Sequence, residues 1–374
     1  MFAPAREQCG ISDYSTILIK ELHAIPSVSV ERIVHPPDSC PPTSHARAIL
    51  GYAEKRKRYE RIGHDLGASP AQIVHIQHEY SLMGGISPDR NYAGALYSSV
   101  RAPIVITVHE IVRESGSRIR SRLIHHINRC NFVHPAIQAW IVHTTADRDY
   151  LVQLGIAASA IVVIPMGVPY FPTLPASDVA RDRLGLDQKR VVTLFGFLAT
   201  KKGHIDAINA VMEMPEDVVL IFAGGKHPDD NTDYVPNLIQ LIKDRGVGER
   251  VRITGFLPRE RLQDVLAATD VAIAPYHSSS GSGAVALLLA AGIPTITSDI
   301  SVFQEIVNES PHSMILSPAH RPDLLRKQIS QVLDQPELRL ALIEGAKEYS
   351  TSHSYTELAV ATERVYHEVL AKCV

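Results

Sequence analysis

A turn rich in glycine and serine, residues 278–283, is the segment of the chain best suited to chemistry. It follows the apolar run Val271–Ala274 and leads into small apolar residues. Where a strand turns into a helix, the first N–H groups of the helix have no intrahelical acceptor and the helix dipole is positive. The turn therefore suits an anion such as a diphosphate, although capping of a buried helix remains a second interpretation. Its candidate ligands are Ser279, Gly281, Ser282 and Gly283.

Two adjacent lysines offer the positive charge that such an anion needs. Lys201 and Lys202 precede Gly203 and follow a predicted strand at residues 191–195. A full charge on Lys202, together with the helix dipole, would stabilise a bound diphosphate. We expect no metal, because no pair of carboxylates lies in the glycine- and serine-rich turn. A lysine pair that is simply solvated is the alternative.

Short apolar runs alternate with amphipathic stretches along the whole chain. Most runs lack a period of two, which is typical of parallel strands covered on both faces. Strands are expected at residues 28–34, 73–77, 104–108, 139–143, 161–164, 191–195, 218–223, 251–254, 271–274, 295–298 and 314–316. Helices are expected at residues 14–24, 205–211, 259–268, 321–333 and 355–372. The alternation predicts an α/β fold of doubly wound parallel sheets.

A proline-rich segment divides this pattern in two. Residues 165–175 contain four prolines, and the strand pattern restarts at Arg190. We expect Rossmann-like domains that face each other across a cleft, with ligands at the carboxyl ends of the strands. The expected boundaries are 1–170 for the first domain, 171–188 for a linker and 189–354 for the second domain, with a C-terminal helix, 355–374, packing back on the first domain.

The composition excludes several classes of protein. With 374 residues, of which 45% are hydrophobic and 21% charged, the chain suits two globular domains. A net charge of -3 gives no argument for nucleic acid, and four scattered cysteines favour a reducing compartment. No signal peptide or membrane span is evident, so we expect a cytoplasmic protein. Only four residues precede the first loop, and a shortened reading frame is one explanation.

Eight segments carry a resemblance to a known family. They are residues 4–14, 106–110, 142–146, 163–168, 195–203, 251–256, 268–275 and 278–294. Their order resembles the retaining family 4 glycosyltransferases (glycosyl transferases group 1), which have the GT-B fold. The resemblance implies a hexosyltransferase that uses a nucleotide-sugar donor, a glycan or lipid-linked acceptor and no cofactor, in the synthesis of bacterial surface polysaccharide or glycolipid. A nicotinamide-dependent dehydrogenase is disfavoured because its Gly-x-Gly-x-x-Gly fingerprint is missing.

The resemblance also implies roles for single residues. His109, at a strand end, would orient the sugar or the acceptor, and Lys202 would neutralise the diphosphate, so both are candidate catalytic residues. The residues expected to bind the donor are Gly10, Gly196, Lys201, Lys202, Ser279, Gly281, Ser282, Gly283 and Glu305. Gly10 would let the opposing backbone approach closely, because it has no side chain. A satisfied strand-end histidine at 109 and a surface role for Glu305 are the alternatives.

Three positions depart from the family pattern. The two glutamates that the family places around its donor loop fall at Ser279 and Leu287, and its phosphate-binding arginine falls at Phe197. A leucine accepts no hydrogen bond from a ribose hydroxyl, so we expect the usual hydrogen bonds to the nucleotide to be missing or to come from other residues. These departures leave a second function open, that of a catalytically silent GT-B fold serving as a binding subunit.

Polar and basic residues in the first half are candidates for the acceptor side. The candidates are Gln77, His78, Glu79 and Arg113. A zinc site at residues 77–80 is not expected because no third ligand has a fitting spacing, and a plain loop fits equally well. Basic clusters at residues 55–61 and 113–129 suit either peripheral contact with the inner face of a membrane or solvated helix faces.

Overall fold

The computed structural model describes residues 1–5, 9–34, 45–83, 92–113, 117–171, 173–226 and 232–373, with the side chains of 45–53 and 81 excepted. The chain separates into two compact units. Unit 1 consists of Met1–Met166 together with Tyr355–Val374, and unit 2 consists of Gly167–Ser354. Each unit has its own six-stranded sheet and its own hydrophobic core.

The sheet of unit 1 is parallel throughout. Its strands are β1 (Phe2–Ala3), β2 (Ile33–Val34), β3 (Val74–His78), β4 (Ile104–Val108), β5 (Ile137–Val142) and β6 (Ile161–Val163). They lie in the order β2-β1-β3-β4-β5-β6. Every residue of β3 and β4 is buried, as expected for strands covered on both faces. The direction of winding reverses between β1 and β3, and open α/β sheets bind ligands beyond the carboxyl ends of the strands at such a point.

Five helices connect these strands. They are α1 (Gly10–His23), α2 (His45–Ala68), α3 (Ala93–Ser99), α4 (Arg118–Phe132) and α5 (Thr145–Gln153). Two of them begin with a side-chain cap, because Ser117 accepts a hydrogen bond from Arg120 N–H and Thr144 accepts one from Asp147 N–H. The caps fix where α4 and α5 begin, directly after the loops that follow β4 and β5.

Unit 2 has a second parallel sheet with the Rossmann order. Its strands are β7 (Arg190–Phe195), β8 (Val218–Ala223), β9 (Val251–Ile253), β10 (Val271–Ala274), β11 (Thr295–Ser298) and β12 (Ile315–Ser317). They lie in the order β12-β11-β10-β7-β8-β9. Counted from β7, this is the order 3-2-1-4-5-6 read in reverse, and its reversal point lies between β7 and β10.

The helices of unit 2 cover both faces of this sheet. They are α6 (Ser177–Leu184), α7 (His204–Met212), α8 (Tyr234–Asp244), α9 (Arg259–Ala268), α10 (Gly283–Ala290), α11 (Ser301–Glu309), α12 (Pro322–Asp334) and α13 (Pro336–Ser352). Residues 171–188, which the prolines mark as a linker, contain α6. This helix packs against α9, and its Ala180 is fully buried with Leu186. The segment is therefore part of unit 2, because its apolar residues have a place in that core.

The last helix, α14 (Tyr355–Lys372), belongs to unit 1. It packs along α1, where Leu358 and Val365 share a buried cluster with Leu18. It also reaches the sheet, because the hydroxyl of Tyr366 lies 2.6 Å from Nδ1 of His75 in β3. The core of unit 1 is thus completed by residues that lie beyond the whole of unit 2 in the sequence.

The second strand differs most from its prediction. It is expected over residues 28–34 but pairs with β1 only at Ile33–Val34. Val28 and Val30 instead pack against the cluster between α1 and α14. The β-branched residues of this stretch, among them Val28 and Val30, predict a strand, yet the partial burial of these two comes from helices. Within the described ranges, no helix is both long enough and apolar enough to cross a bilayer.

Candidate functional site

The turn at residues 278–283 lies at the reversal point of the unit 2 sheet. It connects β10 to α10, beside the loop that follows β7. Ser282 caps the helix, its Oγ accepting a hydrogen bond from Val285 N–H at 3.2 Å. Ser279 Oγ donates to the Gly281 carbonyl at 2.6 Å and lies 3.3 Å from Gly281 N. The turn is braced by its own serines, and the N–H of Gly281 already has an acceptor. An anion would therefore meet the N–H groups that follow, at the exposed Gly283.

Glycines bring the loop after β7 against the turn. Gly203 has a φ of +71°, and a Cβ there would lie 1.9 Å from the carbonyl oxygen of Pro275. Gly196 has a φ of +120°, and its Cβ would lie 3.4 Å from Cβ of Ala284 in α10. His277 N–H donates to the Lys201 carbonyl at 2.8 Å. The two loops therefore form one structure, and position 203 has room only for glycine.

Lys202 lies where these loops meet. Its Nζ is 3.6 Å from the centroid of the buried Tyr276 ring, a cation–π contact. The hydroxyl of the same tyrosine lies 3.5 Å from Oγ of Ser282. One side chain thus contacts both the ammonium group and the capping residue of α10, which places the charge close to the positive end of that helix. The neighbouring Lys201 is exposed.

Glu305 and Leu287 occupy neighbouring helices with different surroundings. Leu287 is half-buried and belongs to an apolar cluster of unit 2 with Phe171, Phe195 and Leu262. Glu305 is half-buried in α11. Burial raises the pKa of Tyr349 in α13 and the charges of Glu309 and Glu305 add to the shift, which places Glu305 close to that helix. The leucine is therefore explained by packing, and Phe197 is likewise half-buried after β7.

Three further side chains meet beside the turn. Asp206 lies in the first turn of α7, His277 follows β10, and His320 lies between β12 and α12. His277 Nε2 is 2.8 Å from Asp206 Oδ2, and His320 Nδ1 is 3.9 Å from the same oxygen. The two imidazole rings are in contact, with their centroids 3.9 Å apart and their planes 34° from parallel. The sequence analysis missed this cluster because its members come from three separate elements and show no ligand spacing.

The carboxyl end of the unit 1 sheet holds a line of hydrogen-bonded side chains. His109 directly follows β4, and its Nε2 lies 2.8 Å from Oε1 of Gln77 in β3. His143 directly follows β5, with Nε2 3.4 Å from His109 Nδ1 and Nδ1 3.0 Å from the Ile164 carbonyl. The ring of Tyr14 in α1 packs edge-on against His109, with centroids 4.8 Å apart. The structure thus brings Gln77 and His109 together and adds His143 and Tyr14, which the sequence analysis did not single out.

His109 is held in its neutral form. Burial, with a further contribution from His143, lowers the pKa of His109 well below its ordinary value, so the ring is neutral at pH 7. Because an amide oxygen only accepts, His109 donates through Nε2–H to Oε1 of Gln77. His143 donates through Nδ1 to the Ile164 carbonyl. His109 is therefore a held, neutral hydrogen-bonding group.

His78 does not join this line. Its Nε2 lies 2.9 Å from Oδ1 of Asn131 in α4, and its ring packs on Phe132. Successive strand residues point to opposite faces, so Gln77 and His78 cannot both face His109. Burial lowers the pKa of His78 to about 4. The expectation that His78 lies on the acceptor side is thus corrected, because the residue belongs to the core beneath α4.

Arg113 lies at the same edge of the sheet as His143. Its Nη2 is 2.7 Å from Oδ1 of Asp147 in the first turn of α5, and its side chain remains 44% exposed. The other carboxylate oxygen, Oδ2, accepts from Thr144 Oγ1 at 2.8 Å. The guanidinium is thereby fixed with one face open to solvent. Glu79, half-buried, directly follows β3.

Arg32, a cation that the sequence analysis missed, contacts the start of α1. Arg32 donates from Nη1 to Thr16 Oγ1 at 2.8 Å, and its guanidinium also contacts the Pro4 carbonyl and Ser12. Gly10, the first residue of α1, is exposed, and a Cβ there would meet no atom within 4 Å. No close approach within the described residues therefore requires this glycine. Residues 6–8 of the same loop lie outside the described residues.

Comparison with known proteins agrees with this geometry. Residues 177–349 match the family model described as Glycosyl transferases group 1. The chain is 28% identical over 240 residues to the D-inositol 3-phosphate glycosyltransferase of Xylanimonas cellulosilytica, an alignment that covers 62% of this chain. It covers only 57% of that relative, so the chain spans little more than half of its length.

Solved structures share the fold over nearly the whole chain. A sucrose-phosphate synthase from Thermosynechococcus elongatus superposes with a TM-score of 0.73 and 18% identity, covering 97% of this chain and 94% of that one. HepE from Anabaena, crystallised in complex with UDP-glucose, superposes with a TM-score of 0.71 and 18% identity, covering 99% and 98%. These likenesses show the fold.

Proposed function

We propose that this chain, which has the GT-B fold and whose residues 177–349 match the glycosyl transferases group 1, transfers a sugar with retention of configuration. The donor would be a nucleotide sugar, and the acceptor a glycan or a lipid-linked molecule. The observation that carries the proposal is the meeting of Lys202, Tyr276 and Ser282 at the reversal point of the unit 2 sheet. A likeness to HepE, which was crystallised with UDP-glucose, supports a nucleotide sugar as the donor.

The donor would bind to unit 2 through its diphosphate. As the bond to the sugar breaks, negative charge develops on the diphosphate, and Lys202 with the first N–H groups of α10 stabilises it. Both elements are in place beforehand, since Tyr276 contacts the lysine and Gly203 holds its loop against Pro275. The neutralisation needs no metal ion, so we propose a metal-independent reaction.

The acceptor side would be provided by unit 1. Neutral His109 is held between Gln77 and His143, so it orients a sugar or acceptor hydroxyl through hydrogen bonding without carrying charge. Arg113 presents one face of a fixed guanidinium at the same sheet edge, where it would bind an anionic group of the acceptor.

We also propose peripheral contact with the inner face of a membrane, consistent with an enzyme of bacterial surface-polysaccharide or glycolipid synthesis. On α4, Ile119 is 81% exposed and Leu123, one turn further, is 44% exposed. Arg118, Arg120 and Arg122 surround this apolar pair. Exposed apolar side chains among arginines suit the boundary between anionic headgroups and acyl chains.

A second candidate is a silent binding subunit with the same fold. It is favoured by the apolar packing of Leu287, which stands where the family places a ribose-binding glutamate. A silent subunit would bind no donor productively, whereas the transferase needs both Lys202 and its loop. Donor binding and turnover therefore separate the two.

A thermal-shift screen over UDP-, GDP-, ADP- and TDP-sugars tests donor binding. One nucleotide should raise the melting temperature by mass action, and the same donor should support transfer or slow hydrolysis. If none of these donors shifts the melting temperature at millimolar concentration, the silent subunit becomes the better description.

The Lys202→Ala variant tests the site. We expect turnover to fall about a hundredfold or more, near 3 kcal/mol of transition-state stabilisation, with little change in melting temperature. Lys243→Ala, on the exposed side of α8, is the matched control and should keep wild-type turnover. Wild-type turnover in Lys202→Ala would refute the assignment of the diphosphate to this site.

A further inference from the structure

We propose that Asp206, His277 and His320 form a binding site for a zinc ion or a closely similar divalent cation. Their ligand atoms all lie within 4.8 Å of one another, and no other such group of three occurs among the described residues. This site is separate from the proposed transfer chemistry, which uses Lys202 and the start of α10.

The three ligand atoms are close enough for one ion to reach them all. Around a tetrahedral zinc with ligands at about 2.0–2.1 Å, neighbouring ligand atoms lie about 3.4 Å apart. Asp206 Oδ2 is 2.8 Å from His277 Nε2, a hydrogen bond, and 3.9 Å from His320 Nδ1, which is too far for one. Both distances lie within about 0.6 Å of the zinc value, so small side-chain rotations would bring the ligand atoms around one ion.

The backbone holds His320 in this place. Its φ is +58°, in the left-handed region that residues other than glycine rarely occupy. This conformation holds the ring beside that of His277, with the centroids 3.9 Å apart and the ring planes 34° from parallel, although the His320 side chain is 66% exposed. An exposed side chain in a strained backbone gains little from packing, and a cation bound by His320 Nδ1 and His277 Nε2 would offset that cost.

The ligand set selects the kind of metal. Two imidazoles and one carboxylate suit zinc and its first-row neighbours, whereas magnesium and calcium prefer oxygen ligands alone. Three protein ligands leave a fourth position for water or another ligand. Asp206 is 17% exposed and His277 30% exposed at their side chains, so the site is open to ions from solvent.

The site would couple three elements of unit 2. Asp206 belongs to α7, His320 precedes α12, and His277 directly precedes the turn at residues 278–283. A bound ion would therefore tie the proposed diphosphate turn to two helices that already pack together. Binding to the folded state alone stabilises a protein by mass action, so the ion should stabilise unit 2.

The test measures metal directly. Tag-free, full-length protein is stripped with a chelator, dialysed against micromolar ZnCl₂ and assayed for bound zinc by elemental analysis. We expect one zinc per chain, a raised melting temperature, no comparable effect of millimolar MgCl₂, and with CoCl₂ the visible absorption of a tetrahedral nitrogen- and oxygen-ligated ion.

The variants separate this site from other histidines. His320→Ala should weaken zinc binding at least tenfold, and His277→Gln at least as much, while both keep the wild-type melting temperature in chelator. His312→Ala, at an exposed histidine of the same unit, should bind zinc as the wild type does. Less than half an equivalent of zinc in the wild type, or equal binding in His320→Ala, overturns the proposal.

Discussion

The carboxyl ends of the two sheets are built differently, from side chains in unit 1 and from backbone in unit 2. In unit 1 the edge is made of buried side chains, a hydrogen-bonded line through Gln77, His109 and His143. In unit 2 it is made of backbone, two loops pressed together at Gly203, with one lysine beside them. The stability of a site made of neutral imidazoles depends on pH, whereas the stability of two loops in close backbone contact depends on whether a methyl group is added at the contact. The same fold class thus yields one edge that acid should disrupt and one that sterics should disrupt.

The largest expected effect is the acid lability of unit 1. Burial lowers the pKa of His75 to about 3 and that of His78 to about 4, and it lowers that of His109 well below its ordinary value. In the unfolded chain these residues titrate near pH 6.5, so below that pH the unfolded state binds more protons than the folded state. The free energy of unfolding therefore decreases as the pH decreases. The loss of stability should be roughly 2 kcal/mol each for His75 and His78 between pH 7 and pH 5, and His109 acts in the same direction.

The sole tryptophan reports on this unit. Trp140 in β5 is buried and donates to the Phe132 carbonyl, so its fluorescence follows the unfolding of unit 1 in urea. We expect the urea midpoint to fall steeply between pH 7 and pH 5, and His78→Gln to flatten that slope. A midpoint that is constant over this range would contradict the neutral, buried state of these histidines.

The next largest effect concerns glycine. In Gly203→Ala the added Cβ meets the Pro275 carbonyl and the positive φ is strained, so we expect a loss of about 3 kcal/mol or more and loss of donor binding. Gly10→Ala in unit 1 meets nothing and should change stability by well under 1 kcal/mol. Thermal melts of both variants check the pair. Equal melting temperatures for Gly203→Ala and Gly10→Ala would contradict the claim that the edge of the unit 2 sheet is sensitive to sterics.

A smaller effect is expected at Leu287. Leu287→Glu would restore the carboxylate that the family pattern places there, and charge-assisted hydrogen bonds to ribose contribute about 1.5–3 kcal/mol. Nucleotide affinity, measured by calorimetry, should rise about tenfold to a hundredfold, at some cost in stability because the leucine packs against an apolar cluster of unit 2. Leu287→Gln, similar in size and uncharged, is the control. Unchanged affinity in Leu287→Glu would show that the ribose lies elsewhere.

The smallest effect is expected from chelation. Because Lys202 and the start of α10 provide the neutralising charge, EDTA should change turnover by less than twofold, even where it lowers the melting temperature by removing zinc. Complete loss of turnover, restored by Mg²⁺ or Mn²⁺, would refute the metal-independent mechanism.

The sequence predicts the strands well and the contacts between loops poorly. Strands such as Val218–Ala223 and Thr295–Ser298 form as predicted, because a continuous apolar run of this length has one favourable environment. The turn at residues 278–283 is also found where its composition places it. The face to which His78 points depends on the register of β3, and a strand end alone does not show this.

Long-range partners are the part that local patterns miss. Arg32 reaches Pro4 and Ser12, and His320 reaches Asp206, across intervening helices that no spacing rule describes. Leu287 appears in the sequence as a missing ligand, and the apolar cluster that it packs against, which includes Leu266 and Ala272, forms only when α9, α10 and β10 are brought together. These contacts follow from the order of the strands in the sheet.

The position of α14 has a consequence for synthesis. Unit 2 is one continuous segment, Gly167–Ser354, so all of its residues are available once that segment has left the ribosome. Unit 1 begins earlier, but Leu358 and Val365, which cover α1, and Tyr366, which pairs with His75, are translated after the whole of unit 2. Domains generally fold as units when their residues are present. We therefore expect the half that is synthesised first to be the half that finishes folding last, with the apolar face of α1 uncovered throughout the synthesis of unit 2.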